Sequence, residues 1–143
     1  MYLWDTNIAV HYANQHPNIR LHVQRVEWDE IALPSPTVAE MLRGRGEFAL
    51  KATPEQVVEA HYQLWQTQQL IAQFRQLRID EEAAKIFKKS LTQLKSKKRY
   101  ADMMIAAMAL AGDHIVVTRN TKHFTDLLPP AQRANWIDEP PPR

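Results

Sequence analysis

The chain lacks cysteine altogether, and only three of its 143 residues are glycine. Without cysteine it can form no disulfide and no thiolate metal site, and it has no cysteine nucleophile. Three glycines are too few for a glycine-rich phosphate loop, which argues against a P-loop or dinucleotide-binding site. The absence of cysteine also fits a reducing compartment.

Long hydrophobic runs are missing as well. The longest uncharged apolar run, residues 103–112, is too short to span a bilayer. No basic segment with an apolar core and a cleavage site opens the chain, so we expect no membrane association and a cytoplasmic location. Hydrophobic residues make up 45% of the chain and charged residues 24%, which is typical of a globular domain that can bury a core.

Charge is divided unequally along the chain, although the net charge is only +2. Residues 1–80 carry seven Lys/Arg against nine Asp/Glu, whereas residues 81–143 carry eleven against seven. Residues 85–99 contain seven cations and no acid. Such a run is either a solvated helix face or a surface that contacts phosphate. Its position directly before Asp102 favours the phosphate-contacting surface.

Short apolar runs alternate with helical patterns. Strands are predicted at 1–4, at 29–34, at 77–79, at 114–118 and, as an edge strand, at 134–137. Helices are predicted from residue 5, and over 19–26, 37–44, 54–74, 80–94 and 101–112. Ser35 is predicted to cap the helix that ends near Gly44. This alternation predicts a single α/β domain over 1–138, with a central parallel β-sheet flanked by α-helices and a Pro-rich tail at 139–143.

Polar residues follow the predicted strands at the edge where parallel strands place functional sites. Asp5 follows the first strand, and Glu40 lies on the helix that the second strand enters. Thr118 and Asn120 end the fourth strand, and Asp102 starts the helix that precedes it. We therefore expect these residues to meet at one edge of the sheet.

Three carboxylates at one place repel each other and resist ionising together unless a cation neutralises them. Ligands that are all oxygen favour Mg²⁺ or Mn²⁺ over zinc. A divalent ion held in this way binds a phosphate and lowers the pKa of a water. With basic residues alongside, the chemistry indicated is hydrolysis of a phosphodiester.

Each carboxylate also has a structural interpretation. Asp5 is placed to cap a helix, Glu40 to lie on the surface of an amphipathic helix, and Asp102 to interact with a helix dipole. However, Ile105, Ala106 and Ala109 follow Asp102 on one helix face that looks inward. Asp102 should thus be partly buried, and a buried carboxylate needs a partner.

Histidine and tryptophan give weaker signals. The histidines lack the spacing of a zinc site and are interpreted as structural or surface residues, except that His123 is left open because it lies near Asn120. The tryptophans are predicted to be core or interface residues. They are Trp4, Trp28, Trp65 and Trp136. In helix 54–74, the predicted apolar side includes Val57, Val58, Leu64, Trp65 and Ile71.

Four blocks of the sequence, in this order and spacing, resemble PIN-domain proteins, specifically the VapC-type toxins of type II toxin–antitoxin pairs. The blocks are YLWDTNIAVHYA, SPTVAEMLRG, YADMMIAAMALAGDHIVV and TRNTKHF. The resemblance covers nearly the whole chain. It implies an endoribonuclease that depends on Mg²⁺, with Mn²⁺ possible, and that cleaves RNA such as tRNA or rRNA. It also implies a homodimer and a VapB-like antitoxin as partners.

The resemblance assigns roles to individual residues. Asp5, Glu40 and Asp102 would be the metal ligands, and Asn120 would complete the catalytic set. Asn120 stands where the family carries an acidic or amide residue, and as a neutral residue it adds no charge. Thr6, Asn7 and Thr118 would support the ligands through hydrogen bonds. Cations that would contact RNA or the antitoxin are Arg43, Arg45, Lys97, Lys98, Arg99, Arg119 and Lys122.

Other functions compete with this interpretation. A phosphatase of the haloacid-dehalogenase type would need an acid at position 7, which here is Asn7. A PIN-fold RNA-processing nuclease without a toxin role would have the same site. A catalytically silent module that binds RNA or protein is also open, since Asn120 is neutral, although the three retained carboxylates argue against it.

Overall fold

The computed structural model describes residues 1–93 and 99–143, and a five-stranded parallel sheet forms its centre. The strands are β1 (Tyr2–Trp4), β2 (Ile31–Pro34), β3 (Arg75–Leu77), β4 (Ile115–Val117) and β5 (Arg133–Ala134). Their order is β3-β2-β1-β4-β5, and all four pairings are parallel. The first strand therefore lies at the centre, between β2 and β4.

Within the described residues, six α-helices flank the sheet. They are α1 (Thr6–Ala13), α2 (Pro17–Val23), α3 (Ser35–Lys51), α4 (Val57–Ala72), α5 (Glu81–Gln93) and α6 (Tyr100–Gly112). Short 3-10 helices occupy Trp28–Glu30, Thr121–Phe124 and Pro130–Gln132. The predicted α/β fold is confirmed. No helix within the described residues is both long and apolar enough to cross a membrane.

The two faces of the sheet bury two separate cores, because successive residues of a strand point to opposite faces. On β1, Trp4 belongs to the core that includes Ile8 and Leu33, whereas Leu3 belongs to the core on the other face. The core on the Leu3 face contains Ile105 and neighbouring residues of α6, the helix whose first turn carries Asp102.

The helix predicted to stop near Gly44 instead continues to Lys51, so that boundary is wrong. Gly44 and Gly46 lie in open space, where a glycine lowers helix stability without ending the helix. Later residues hold the helix in place, because Ala49 is buried and its carbonyl oxygen lies 3.1 Å from Nε2 of His61 on α4.

The capping role predicted for Ser35 is also wrong. Pro34 is the N-cap residue of α3, and the hydroxyl of Ser35 accepts a hydrogen bond from the Ile79 backbone N–H at 3.1 Å. Ser35 thus joins the start of α3 to the segment that follows β3. That strand covers Arg75–Leu77 rather than the predicted 77–79, and its first two residues are exposed at the edge of the sheet.

The four tryptophans differ in how far they are buried. Trp4 and Trp136 are buried, but the exposed fractions of Trp28 and Trp65 are 37% and 54%. Trp65 and Val58 were both predicted on the apolar side of their helix, yet Val58 is 80% exposed. The predicted apolar side of α4 is therefore only partly in the core, where Ala60 and Ile71 supply its buried residues.

The segment after β5 lies against α2. The Trp136 ring stacks on His22 with ring centroids 4.8 Å apart, and Nδ2 of Asn18 donates to the Ile137 carbonyl at 2.7 Å. Residues 139–143 form no helix or strand. Nε2 of His22 lies 2.7 Å from the carbonyl oxygen of Glu139, so contact with α2 continues into that tail.

Candidate functional site

Asp5 is both the helix cap and a member of the carboxylate cluster. It follows the central strand, and its Oδ1 accepts a hydrogen bond from the Ile8 backbone N–H at 3.1 Å as the N-cap of α1. Its Oδ2 accepts a hydrogen bond from the hydroxyl of Thr118, just beyond β4. Capping fixes one carboxylate oxygen and Thr118 holds the other, so the carboxylate is oriented from two directions.

Glu40 reaches the same edge of the sheet from α3. Its Oε2 accepts a hydrogen bond from the Thr6 hydroxyl at 2.8 Å. The start of α3 is attached to the central strand because the buried Thr37 hydroxyl donates to the Trp4 carbonyl at 2.9 Å. Both hydrogen bonds connect α3 to residues immediately beside Asp5.

Asp102 lies in the first turn of α6 and is partly buried, as predicted, with a side chain that is 26% exposed. The inward helix face is confirmed, because Ile105, Ala106 and Ala109 are all buried. The expected partner is His123, whose Nδ1 lies 3.3 Å from Asp102 Oδ2. From the sequence, the role of His123 is open only because this residue lies near Asn120.

The polar residues near the carboxylates differ in burial. Thr118 is buried, and its hydroxyl accepts a hydrogen bond from the Asn120 backbone N–H at 3.0 Å while donating to Asp5. Asn120 itself is exposed. Asn7 is exposed on α1, where its carbonyl oxygen lies 2.7 Å from Nδ1 of His11.

The electrostatics show that neighbouring carboxylates act on Asp5 and on Asp102. Burial raises the pKa of Asp5 above its usual value, and the charges of Asp102 and Glu40 raise it further, against hydrogen bonds from Thr118 and Ile8. Burial likewise raises the pKa of Asp102, with Glu40 adding to the effect and with His123 and Arg99 opposing it. The cluster therefore has an excess of negative charge that a cation would relieve.

The donor set fits a hard divalent cation, although the side chains are not yet arranged as ligands. Across residues 1–93 and 99–143, no group of three Asp, Glu or His side chains could hold a metal ion as it stands. One oxygen of Asp5 and one oxygen of Glu40 accept hydrogen bonds from threonine hydroxyls, and each oxygen has further lone pairs that can face a cation. Carboxylate oxygens are the ligands that Mg²⁺ and Mn²⁺ prefer.

Three of the predicted contact cations are engaged within the protein. Arg99 forms an ion pair with Asp126 at 3.0 Å and donates to the His123 carbonyl, and Arg119 forms an ion pair with Asp138 at 3.1 Å. Arg45 donates to Gln63 at 2.8 Å, while Arg43 and Lys122 are exposed. Lys97 and Lys98 lie outside the described residues.

The parallel α/β sheet has Asp5, Glu40 and Asp102 near the carboxyl ends of its central strands. This arrangement is that of an α/β protein with a carboxylate site at one edge of its sheet. The chain belongs to the PIN domain family, whose model matches residues 2–127. No curated protein matches it.

Solved structures match over almost the full length. A chain of FitAcB from Neisseria gonorrhoeae is 26% identical with a TM-score of 0.70, and the match covers 97% of this chain and 100% of that one. A chain of VapBC-1 from nontypeable Haemophilus influenzae is 25% identical with a TM-score of 0.64, covering 94% and 97%. DNA-bound VapBC from Salmonella typhimurium, 23% identical, has a TM-score of 0.73 over 94% and 97% of the chains, which shows the shared fold. The resemblance stated from the sequence is confirmed.

Proposed function

We propose that the chain is a metal-dependent endoribonuclease that acts as the toxin of a type II toxin–antitoxin pair. The observation that carries this proposal is the placing of Asp5, Glu40 and Asp102 at one edge of the sheet, where burial, together with the charge of neighbouring carboxylates, raises the pKa of Asp5 and of Asp102. Membership of the PIN domain family supports nuclease chemistry at this edge.

The three carboxylates would hold Mg²⁺ or Mn²⁺. When bound, the metal supplies charge that stabilises the phosphodiester transition state and lowers the pKa of a water. The protein's own contribution is orientation, because Thr118 fixes Asp5 and Thr6 fixes Glu40. The exposed Asn120 side chain offers both a donor and an acceptor, which suit a water or a phosphate oxygen.

The charges favour a nucleic-acid substrate, and the resemblance to VapC-type toxins implies that it is RNA, with tRNA or rRNA as the target. The phosphates of a nucleic-acid strand are attracted to cationic protein surfaces. The candidate cations for this contact are Arg43, Arg45, Lys97, Lys98, Arg119 and Lys122. The sequence also places Arg99 among these cations, but in the structure Arg99 pairs with Asp126.

The proposed partners follow from similar proteins. Matching structures are described as toxin–antitoxin complexes, including one from Klebsiella pneumoniae that is 19% identical with a TM-score of 0.69. A VapB-like antitoxin is proposed for this chain on that basis. A homodimeric assembly is proposed from the resemblance to VapC-type toxins, and a cytoplasmic location from the sequence. A chain that hydrolyses cellular RNA would need such an antitoxin to restrain it.

A second candidate is a catalytically silent module that binds RNA or protein. Two observations favour it, namely the neutral Asn120 and the absence, within the described part of the chain, of a ready ligand set. The retained carboxylates argue against it, because an excess of negative charge is costly unless it serves a bound cation. The two candidates differ in whether the protein cuts RNA.

The test is cleavage of a mixed tRNA and rRNA pool by purified, antitoxin-free protein with Mg²⁺, with Mn²⁺ and with EDTA. Asp102→Asn is the test variant and Asp80→Asn the matched control. Asp80 also serves at a helix start, where its Oδ1 accepts a hydrogen bond from the Ala83 N–H at 2.9 Å. It lines a small cavity with Gly112 and His114, at the end of α6 opposite Asp102.

We expect discrete fragments that require metal and Asp102 and that Asp80→Asn still produces. Equal cleavage by wild type and Asp102→Asn would contradict the proposed ligand set. No cleavage by a protein shown to be folded would support the silent module instead.

A further inference from the structure

We propose that Arg99 and His123 are positioning residues that hold Asp102 in place for the reaction proposed above, on which this inference rests. Sequence reasoning placed Arg99 among the RNA or antitoxin contacts and left His123 without a role. The contacts of these two side chains point instead to a support built behind one carboxylate of the cluster.

Arg99 ties the start of α6 to the segment that follows β4. It is the N-cap residue of that helix, and its Nη2 lies 3.0 Å and 3.3 Å from the two carboxylate oxygens of Asp126. Its Nη1 donates to the carbonyl oxygen of His123. The side chain is only 21% exposed, so the guanidinium lies between the two elements rather than in solvent.

His123 is held from both sides of its backbone. Phe124, the next residue, is fully buried, and its carbonyl accepts a hydrogen bond from the Leu128 N–H at 2.9 Å. With the His123 carbonyl bound to Arg99, the ring has a fixed base from which Nδ1 meets Asp102 Oδ2 at 3.3 Å. The chain of contacts therefore runs from Asp126 through Arg99 and His123 to Asp102.

Such a support matters because a reactive carboxylate must be held to within about 0.5 Å of its working geometry. Asp5 and Glu40 each have a threonine hydroxyl that orients them. Asp102 has the imidazole of His123 in the equivalent place, so each of the three carboxylates is oriented by a different neighbouring side chain. Loss of such an orienting partner typically lowers metal affinity or activity about 10–100-fold.

The test compares His123→Ala with His123→Asn. The amide nitrogen of asparagine lies close to where Nδ1 of histidine lies, so His123→Asn keeps a donor to Asp102 and removes the rest of the ring. We expect His123→Ala to lower kcat for RNA cleavage about 10-fold or more with little change in KM, and to weaken Mn²⁺ binding in RNA-free titrations. His123→Asn should recover most of both losses. If His123→Asn recovers neither kcat nor Mn²⁺ binding, the proposal is overturned, because the imidazole itself would then be required.

Asp126→Asn separates positioning from RNA contact at Arg99. The variant removes a negative charge and releases the guanidinium, so a role in RNA contact predicts unchanged kcat with equal or tighter RNA binding. A positioning role of Arg99 predicts that kcat and Mn²⁺ affinity both fall in Asp126→Asn. The same losses are expected in Arg99→Gln. Glu82→Gln is the matched control, since it breaks an exposed ion pair with Lys85 at 3.3 Å on α5 and should change neither.

Two kinds of failure are distinguishable. If wild-type protein cleaves RNA with metal and the His123 and Asp126 variants match it in kcat and Mn²⁺ affinity, the positioning proposal fails while the proposed function stands. If folded wild-type protein neither cleaves RNA nor binds Mn²⁺, the proposed function fails and the positioning proposal fails with it. Circular dichroism and melting curves for every variant establish that each compared protein is folded.

Discussion

The Thr6 hydroxyl lies 2.8 Å from Oε2 of Glu40, so the first residue of α1 is joined to a residue of α3 that arrives from a neighbouring strand. This single hydrogen bond spans 34 residues of sequence. It fixes the orientation of Glu40 relative to Asp5, the residue next to Thr6.

Thr6→Val should separate orientation from stability, because valine keeps the shape of threonine and removes the hydroxyl. We expect RNA cleavage to fall about 10-fold, with unfolding free energy lowered by about 1 kcal/mol or less. Thr6→Ser retains a hydroxyl and should keep most of the activity. Cleavage rates and urea unfolding curves for the three proteins provide the measurement, and equal rates for Val and Ser would contradict the role of the hydroxyl.

The pH dependence of stability should reveal the excess negative charge. In the folded state the pKa of Asp5 is raised from 3.8 by burial and by its acidic neighbours. The folded state thus binds a proton more tightly than the unfolded chain. The contribution of Asp5 to the free energy of unfolding should fall as pH rises from below 3.8 through its raised pKa.

Asp5→Asn removes that dependence and keeps a side-chain oxygen to cap α1. We expect this variant to be more stable than wild type at pH 7 and to have a flatter stability curve, measured by chemical denaturation without divalent metal. Asp80→Asn, which neutralises another capping residue, should give no such gain. Added Mg²⁺ should raise the melting temperature of wild type more than that of Asp5→Asn, because a ligand of the native state stabilises it.

Trp136 should be important for stability although it lies near the end of the chain. Its ring is buried, and it contacts Tyr2 and Trp4 with centroid distances of 5.0 Å and 5.9 Å. Trp136→Ala should lower the free energy of unfolding by about 3–5 kcal/mol. The control is Trp65→Ala on the exposed face of α4, which should cost about 0.5 kcal/mol or less in the monomer. Similar losses in both variants would contradict the described burial.

Asp113 offers a stabilising substitution. It ends α6 with φ at 55°, in the left-handed region that favours glycine. Asp113→Gly should raise the free energy of unfolding by about 0.5–1 kcal/mol, whereas the β-branched Asp113→Val should lower it. Thermal melting of the two variants beside wild type checks both signs, and a loss of stability in Asp113→Gly would count against the left-handed conformation.

The sequence predicted the place of the site better than the details of its elements. Asp5, Glu40 and Asp102 could be assigned to one edge because parallel strands present their carboxyl ends together, whatever the lengths of the helices. The end of α3 was missed because glycine is a weak stop signal when later residues such as Ala49 pack in the core. Ser35 was misread because its preference for helix caps does not reveal a tertiary partner such as Ile79.

The residues around Asp102 show where sequence reasoning stops. The inward helix face predicted that Asp102 needs a partner, and nearness to Asn120 drew attention to His123, but no local pattern joins the two. The ion pair between Arg99 and Asp126 depends on how α6 meets the segment after β4. A run of cations therefore predicted phosphate contact at Arg99, a position where the structure has an internal pair.

The position of β1 at the centre of the sheet affects how the protein is made on the ribosome. Its neighbour β4 and the Thr118 hydroxyl come late in the chain, so Asp5 is synthesised long before the groups that complete its surroundings. A nascent chain that has not yet released β4 has an unpaired edge on its central strand, and it also lacks Thr118 and Asn120, which follow β4 in the sequence. Synthesis itself therefore delays completion of the candidate site until nearly the whole domain has emerged.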